Sequence, residues 1–511
     1  MSKENPPILT DSETLKEIVN CLAEHIPIKN QGECEQQTTQ EPKAFGKWWA
    51  LVSIGLGVLM FSVDVSIVYI SLPTLVEALH TSFATIQWVS LSYLLSITVL
   101  LIGVGRLGDM FGKKSLYLGG LIVFTISSLL CGLAPTVGFL IGFRALQGLG
   151  AVFISALGAA IVAEIFADSG RGLALGIIGA ISSLGMVLGP TVGGLLIGLG
   201  GWRLIFLVNV PIGLITSLML VWTVPSSVGN ETKQRFDALG SLIMAVTLSC
   251  FALGMTFGQL KGFSSATALS LLTTSAVGLA CFLVVEARIL QPMLDLRIFR
   301  NLQFSLSLLV GWMMFTVTGG TLFILPFFLE LVEHYSTQKV GLLQAVLPIA
   351  VGLMEPISGS LSDRLGWRII SLIGLVVMVG GCLAIATFDS ELTLLGYIAR
   401  VALLGLGMGI FLTPNNSAIM GGVPQERLGI ASALLSLCRV LGHMVGIPLL
   451  GGLFATLSVA NAKLAPDINI TNAPVEALIS AEHTTFFIAA LILMVSVVIL
   501  FFGMLQDRHD T

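Results

Sequence analysis

Charged residues are scarce in this chain: Asp, Glu, Lys and Arg make up only 11% of its 511 residues. Soluble globular domains carry about 25% charged residues, so this value excludes a soluble protein. Hydrophobic residues make up 55% of the chain, and the mean hydropathy is +0.95. The composition therefore indicates a membrane protein with most of its length inside the bilayer.

The sequence also lacks the usual motifs of membrane enzymes. It contains no H-E-x-x-H zinc motif, no P-loop and no paired-acid metal motif in its loops, and those loops are too short for a catalytic domain. None of the seven cysteines falls in a predicted outer loop, so no disulfide framework is expected. We therefore expect no enzymatic activity, no metal or bound cofactor, and no nucleic-acid partner.

Apolar stretches long enough to cross about 30 Å of hydrocarbon recur from residue 48 onward. They predict fourteen transmembrane helices and hence an all-α membrane protein. If the N terminus lies inside, most of the 25 Lys and Arg residues fall in cytoplasmic segments, as the positive-inside rule requires. No signal peptide is apparent at the N terminus. We expect a multi-pass protein of the inner (plasma) membrane with both termini in the cytoplasm.

The two halves of the chain resemble each other at a nearly constant offset. The matching features are Gly105–Gly112 with Gly359–Gly366, Arg144 with Arg400, and Gly185-x-x-x-Gly189 with Gly442-x-x-x-Gly446. Parallel repeats of this kind build transporters whose substrate path runs between the halves. The predicted domains are a polar cytosolic tail (1–46), an N-terminal six-helix bundle (47–225), two inserted transmembrane helices with their linkers (226–301), a C-terminal six-helix bundle (302–505) and a short cytosolic tail (506–511).

Four motifs in this order resemble those of the fourteen-helix drug:proton antiporters of the major facilitator superfamily. They are the first signature loop Gly105–Lys114, Arg144-x-x-Gln147-Gly148, Gly185-x-x-x-Gly189-Pro190-x-x-Gly193-Gly194, and Trp202-Arg203-x-x-Phe206-x-x-Asn209-x-Pro211-x-Gly213. The resemblance covers residues 48 to 505 and implies a monomer that uses the proton gradient as its energy source. Met110, Ser66 and Tyr69 depart from the family pattern, which bears on the substrate more than on the fold.

Charged side chains inside spans are costly and are functional candidates by default. Asp64 in span 1 and Arg144 in span 4 lie at a similar depth, roughly 12 Å from the outer surface at 1.5 Å per residue. We predict that they form a proton-coupling pair; the alternative is a static ion pair that joins the two helices. The coupling hypothesis requires Asp64 to share one cavity with Arg144, Glu355 and the polar stripe of span 13.

That stripe in span 13 comprises Ser432, Ser436, Arg439 and His443, which recur on one helical face. His443 is a further proton-coupling candidate because imidazole titrates near neutral pH, although a packing histidine is an open alternative. Glu355 in span 10 is predicted to form a gate or an interfacial salt bridge rather than a central proton site. The other cavity or gate candidates are Gln344, Arg439, Arg400, Gln147 and Tyr69.

Two further groups are predicted to serve conformational change. The signature loops are expected to hold one conformational state, and their candidates are Gly105, Arg106, Asp109, Gly112, Lys113, Asp363 and Arg364. Small residues in span 5 allow close helix packing, and the expected pivot between the halves consists of Gly185, Gly189, Pro190, Gly193 and Gly194.

The leading functional hypothesis is proton-coupled efflux (antiport) of a hydrophobic or amphiphilic compound by alternating access. The substrate is expected to be a hydrophobic or cationic small molecule. Acids such as Asp64 and Glu355 would suit a cationic ligand. A second hypothesis keeps the fold and assigns export or uptake of an endogenous lipid, siderophore or metabolite. A third is a transporter-like membrane sensor, for which the polar tail offers the only candidate signalling segment.

Overall fold

A computed structural model describes residues 44–166, 171–225, 238–289, 296–423, 428–462 and 473–507. The predicted polar tail thus lies almost wholly outside the described residues, as does most of the short C-terminal tail. Within the described ranges, fourteen helices are long and apolar enough to cross a membrane, as the sequence predicts.

We number these helices α1 to α14 in chain order; α6 and α10 each consist of two consecutive segments. Their bounds are Ala44–Ala78 (α1), Phe83–Phe111 (α2), Lys113–Gly132 (α3), Val137–Ile165 (α4), Arg171–Gly200 (α5), Leu204–Leu207 and Asn209–Thr223 (α6), Ala238–Lys261 (α7), Ala266–Arg288 (α8), Leu302–Leu331 (α9), Thr337–Gln344 and Val346–Leu365 (α10), Trp367–Ile385 (α11), Leu394–Gly421 (α12), Leu428–Asn461 (α13) and Val475–Asp507 (α14). A short 3₁₀ helix, Leu296–Arg300, precedes α9.

The packing of the helices repeats between the two halves. Helix α1 packs against α5 and α6, just as α9 packs against α13 and α14. Likewise, α2 and α3 pack on α4, and α10 and α11 pack on α12. Helices α7 and α8 pack on each other, and α7 also contacts α2 and α13. The predicted fold class, two six-helix bundles with two inserted helices, is confirmed; the exact domain boundaries stay predictions.

The two signature segments are not loops. Helix α2 continues to Phe111 and α10 continues to Leu365, so a single glycine, Gly112 or Gly366, links each helix to the next. Both glycines have a positive φ, 86° and 88°, and each donates its N–H to the carbonyl four residues earlier. Glycine adopts this conformation without steric cost and ends helices in this way. The prediction of short loops over these two segments was therefore wrong, because glycine allows a one-residue turn.

The halves meet on the side of the molecule where α5 ends and α10 begins, which we call the closed side. There, a Cβ atom on Gly194 would lie 2.7 Å from the carbonyl oxygen of Thr337. The ring of Phe83 lies 5.0 Å from that of Phe323 and 6.4 Å from that of Phe454, centre to centre. On the opposite, open side, Cβ atoms on the cavity-lining Gly179 and Gly352 would have no neighbour within 4 Å.

Candidate functional site

A cavity of about 290 Å³ lies between the two halves. Helices α1 and α5 line it from the N-terminal half, and α9, α10, α12 and α13 line it from the C-terminal half. Much of its wall is apolar, with contributions from Met186, Leu322, Leu347, Val351, Met408 and Leu412. Small-molecule sites span about 300–1,000 Å³, so the cavity suits one compact molecule with an apolar body.

Two charged side chains line this cavity, and both come from the C-terminal half. Glu355 on α10 is half-buried, and Arg439 on α13 is exposed to the cavity although it lies deep in the protein. The guanidinium carbon of Arg439 lies 5.5 Å from the centre of the Phe315 ring. Neither charge has a salt-bridge partner within 4 Å among the described residues. The predicted interfacial salt bridge of Glu355 is therefore wrong for this conformation, since its carboxylate faces the cavity.

Neutral polar groups complete the cavity wall. The buried Gln344 Nε2, His443 Nε2 and Asn416 Oδ1 have no hydrogen-bond partner in the part of the chain that the structure describes, and all three residues line the cavity together with Tyr69. Buried polar atoms are normally paired; these three lie just beneath the cavity surface, so a bound molecule would reach them only after a side-chain rotation. The sequence indicated Gln344, His443 and Tyr69 but missed Asn416, whose only signal was a polar side chain within an apolar span.

Asp64 and Arg144 form a buried ion pair, with 2.7 Å between Arg144 Nη1 and Asp64 Oδ2. Their side chains are 0% and 2% exposed. The other carboxylate oxygen, Oδ1, accepts hydrogen bonds from Gln147 Nε2 and Asn209 Nδ2, each at 2.9 Å. The Arg144 guanidinium also donates to the Val89 carbonyl and to Gln147 Oε1. The network thus joins α1, α2, α4 and α6 within the N-terminal half.

This network is separate from the cavity. Asp64 and Arg144 do not line the cavity, so the expectation that they share it with Glu355 is wrong. The reason is helical geometry: at 100° per residue, Ser66 and Tyr69 point roughly 140–200° away from Asp64 around α1. Ser66 and Tyr69 line the cavity, while Asp64 faces α4 and α6. Packing therefore walls Asp64 off in this conformation.

Two members of the network, Gln147 and Asn209, were only partly predicted from the sequence. Gln147 was expected at the cavity or a gate, but it is fully buried, bonded to Asp64, and donates a further hydrogen bond to Ser128 Oγ at 2.8 Å. Asn209 was seen only as part of a motif. Its position, a polar amide at the start of an apolar span, was the available signal for a buried partner.

A second buried acid lies near the closed end of α14. Glu482 is 0% exposed, and neither of its carboxylate oxygens has a hydrogen-bond partner among the described residues. The Arg400 guanidinium lies within electrostatic range of it and 5.7 Å from the centre of the Phe388 ring. Arg400 was predicted at the cavity or a gate but does not line the cavity. Glu482 was not singled out from the sequence, although an acid inside a span is a general signal.

The glycines of α5 serve two different contacts. Cβ atoms on Gly185, Gly189 and Gly193 would clash with Ser62, Ser66 and Ile67 of α1, within the same half.

Only the last members of that group reach the other half. Gly194 and the carbonyl of Pro190 approach α10 of the C-terminal half, Gly194 at Thr337 and Pro190 at Gly341. Within this group, contact with the C-terminal half is therefore confined to this end of α5, because α1 covers the glycine stripe; the pivot between the halves stays a prediction.

The switch candidates lie at the open side. Lys113 forms a salt bridge with Glu164 and so ties α3 to α4. Asp363 and Arg364 are exposed in the last turn of α10 and have no salt bridge within the described residues. Gly105, Arg106 and Asp109 belong to the last turns of α2, and their side chains lie outside the described part of the structure.

Comparisons with known proteins agree with this architecture of two helical halves around a cavity. The family model of the Major Facilitator Superfamily matches residues 54–447 and 339–511. Multidrug resistance protein Stp of Mycobacterium tuberculosis (strain CDC 1551 / Oshkosh) is 34% identical over 426 residues, 82% of this chain and 78% of Stp. Riboflavin transporter RibZ of Clostridioides difficile (strain 630) is 31% identical over 458 residues, 90% of this chain and 98% of RibZ.

The fold is also found among solved structures. A bacterial homologue of the human lysosomal transporter Spinster superposes with a TM-score of 0.67 at 16% identity, covering 90% of this chain and 98% of that one. The fourteen apolar helices, the paired halves around a central cavity and these matches agree. The chain belongs to the Major Facilitator Superfamily and is a multi-pass membrane transporter, not an enzyme.

Proposed function

We propose that the protein exports a small amphiphilic molecule in exchange for protons, by alternating access of the central cavity. The observation that carries this proposal is a cavity sealed between the halves on one side and open on the other. One relative named multidrug resistance protein Stp and another named tetracenomycin C resistance and export protein support the export direction. The positive-inside distribution of Lys and Arg supports a cytoplasmic open side and cytoplasmic termini, so the cavity would load from inside the cell.

Within this proposal, Glu355 exchanges the protons. Its carboxylate lines the cavity without a salt bridge among the described residues, so protons and substrate can reach the same group. Asp64 is enclosed in the N-terminal half, does not line the cavity and accepts hydrogen bonds from three donors. We therefore assign Asp64 and Arg144 to the static alternative, an ion pair that joins α1 to α4, with His443 as a second proton-accessible group in the cavity.

Transport in proteoliposomes tests both the coupling of export to protons and the role of Glu355. The purified protein, acting as a monomer, should move rhodamine B ethyl ester, a cationic amphiphile, against its gradient when a pH gradient is imposed. Glu355→Gln should abolish this accumulation and retain exchange of the dye across the membrane without a gradient. Glu333→Gln, placed between α9 and α10 outside the cavity, is the matched control.

Two results would contradict this assignment. Accumulation that ignores the pH gradient would remove proton coupling altogether. A folded Asp64→Asn variant that loses coupling while Glu355→Gln keeps it would return the proton site to Asp64.

The second candidate function is transport of a polar ring-bearing metabolite. RibZ, 31% identical over 90% of this chain, favours it, as do the unpaired amide atoms of Gln344 and Asn416 in the cavity. Riboflavin that inhibits transport of the rhodamine ester and is itself accumulated would support this second function; export of the dye unaffected by riboflavin would exclude it.

A further inference from the structure

We infer that the C-terminal wall of the cavity is a subsite for zwitterionic amphiphiles, where Arg439 binds the anionic group of a substrate and Glu355 binds its cationic group. The inference rests on the proposed function and deepens it, since it names the class of substrate. It also replaces the expectation of a hydrophobic or purely cationic substrate, which counted Asp64 among the cavity acids.

Arg439 is a cation that the described protein leaves without a close anion. It lies in the interior of α13, lines the cavity and is exposed to it. No carboxylate of the described residues lies within 4 Å, although Glu355 is within electrostatic range. Charged groups at membrane depth are normally paired or face an aqueous cavity, and they mark substrate pathways. An exposed guanidinium above the Phe315 ring is thus positioned for an anionic group.

The charge balance of the cavity favours a ligand with both signs. Glu355 supplies a negative charge and Arg439 a positive one, and the other lining residues carry no formal charge when His443 is neutral. A purely cationic ligand would leave Arg439 without a counter-ion, and a purely anionic ligand would do the same to Glu355. A zwitterion satisfies both groups, which is the condition for burying charge at low cost.

Neutral polar side chains lie in the same wall as Glu355 and Arg439. Gln344 Nε2 is an unpaired donor on α10, buried just beneath the cavity surface. Asn416 Oδ1 is an unpaired acceptor on α12, also buried beneath that surface. His443 lies one turn from Arg439, with its ring edge-on to Phe315 at 5.8 Å. The apolar lining receives the body of the ligand.

This arrangement also explains how protons compete with substrate. A proton on Glu355 removes the negative charge that holds the cationic group, so the proton and the zwitterion exclude each other at one site. Mutual exclusion is what an exchanger requires. Arg439 stays charged throughout, so it serves as a positioning residue for the anionic group.

Binding to the purified full-length protein in detergent tests the inference without relying on transport. The probes are rhodamine B, a zwitterion with a free carboxylate, and its ethyl ester, which has the same ring system but only the positive charge. Fluorescence polarisation should show tighter binding of rhodamine B than of the ester. Charge-assisted hydrogen bonds support an expected difference of about tenfold to a hundredfold.

Variants identify the residue responsible. Arg439→Gln should weaken binding of rhodamine B by about tenfold to a hundredfold and leave the ester almost unchanged, whereas Arg439→Lys should restore part of the preference. Arg288→Gln removes the same charge from an exposed position on α8 outside the cavity and should change neither affinity.

Equal binding of the two probes by the wild type, no binding of either, or an equal loss for both in Arg439→Gln would overturn the inference. Failure of the proposed function looks different: it is loss of the pH dependence of ester transport by the wild type, with the binding preference intact.

Discussion

The buried Asp64–Arg144 pair gives the sharpest prediction about stability. Asp64→Asn keeps the volume of the side chain and removes its charge. Arg144, 1% exposed, would then be a buried cation without a counter-ion. The new amide N–H groups would face donors in either orientation, Arg144 Nη1 at the Oδ2 position or the Gln147 and Asn209 amides at the Oδ1 position. Removing one partner of a buried pair costs about 3–5 kcal/mol.

The structure places the expected loss at the lower end of that range. Arg144 would keep the Val89 carbonyl at 3.1 Å and Gln147 Oε1 at 2.6 Å as acceptors. Its guanidinium carbon also lies 4.0 Å from the centre of the Tyr93 ring, a cation–π contact. We therefore expect Asp64→Asn to lower the free energy of unfolding by about 3 kcal/mol.

Unfolding by sodium dodecyl sulfate in mixed micelles, followed by circular dichroism, measures this difference. Glu355→Gln is the matched control, because its carboxylate faces the cavity and should change the free energy of unfolding by less than about 0.5 kcal/mol. The double variant Asp64→Asn/Arg144→Gln should lose less than the sum of the two single losses, since the two residues contact each other. A variant Asp64→Asn as stable as the wild type would refute the ion pair as a structural lock.

Three further predictions concern other parts of the molecule. Glu482→Gln should leave the free energy of unfolding within about 1 kcal/mol of wild type or raise it, because its buried carboxylate lacks hydrogen bonds among the described residues. A decrease of about 3–5 kcal/mol, as for a broken buried ion pair, would show that the carboxylate does have a charged partner. Gly446→Ala should destabilise by about 1–3 kcal/mol, since its Cβ would meet the immobile Thr316 carbonyl, whereas Gly179→Ala, with open space around it, should have no effect in the same unfolding titration. In a cysteine-free background, cross-linking Phe83→Cys to Phe454→Cys should stop transport until the link is reduced; continued turnover of the linked protein would show that the halves do not separate at the closed side.

Several features of the site followed from the sequence because they depend on position along the chain. The depth of Asp64 and Arg144 within their spans placed them at one level, and the structure shows them in contact. The stripe of span 13 indicated that Arg439 and His443 share a face, and both line the cavity.

Other features were wrong or missed because they depend on neighbours distant in sequence. Asn209 lies 145 residues from Asp64 and donates to it. The glycine stripe of α5 was taken as a pivot between halves, but α1 of the same half covers most of it. The continuation of α2 into the expected loop, as far as Phe111, depended on one glycine with positive φ, Gly112.

The sequence by itself determined that the chain folds in a lipid bilayer, how many spans it has and that its two halves are duplicated. Hydropathy, length and internal similarity can all be read from consecutive residues. Only the tertiary structure decided which polar side chains face the cavity. A helix that is apolar on nearly all sides gives no signal for its rotation about its own axis; packing against neighbouring helices sets that rotation. It turned Asp64 and Arg144 into a closed network and left Glu355 and Arg439 facing the cavity.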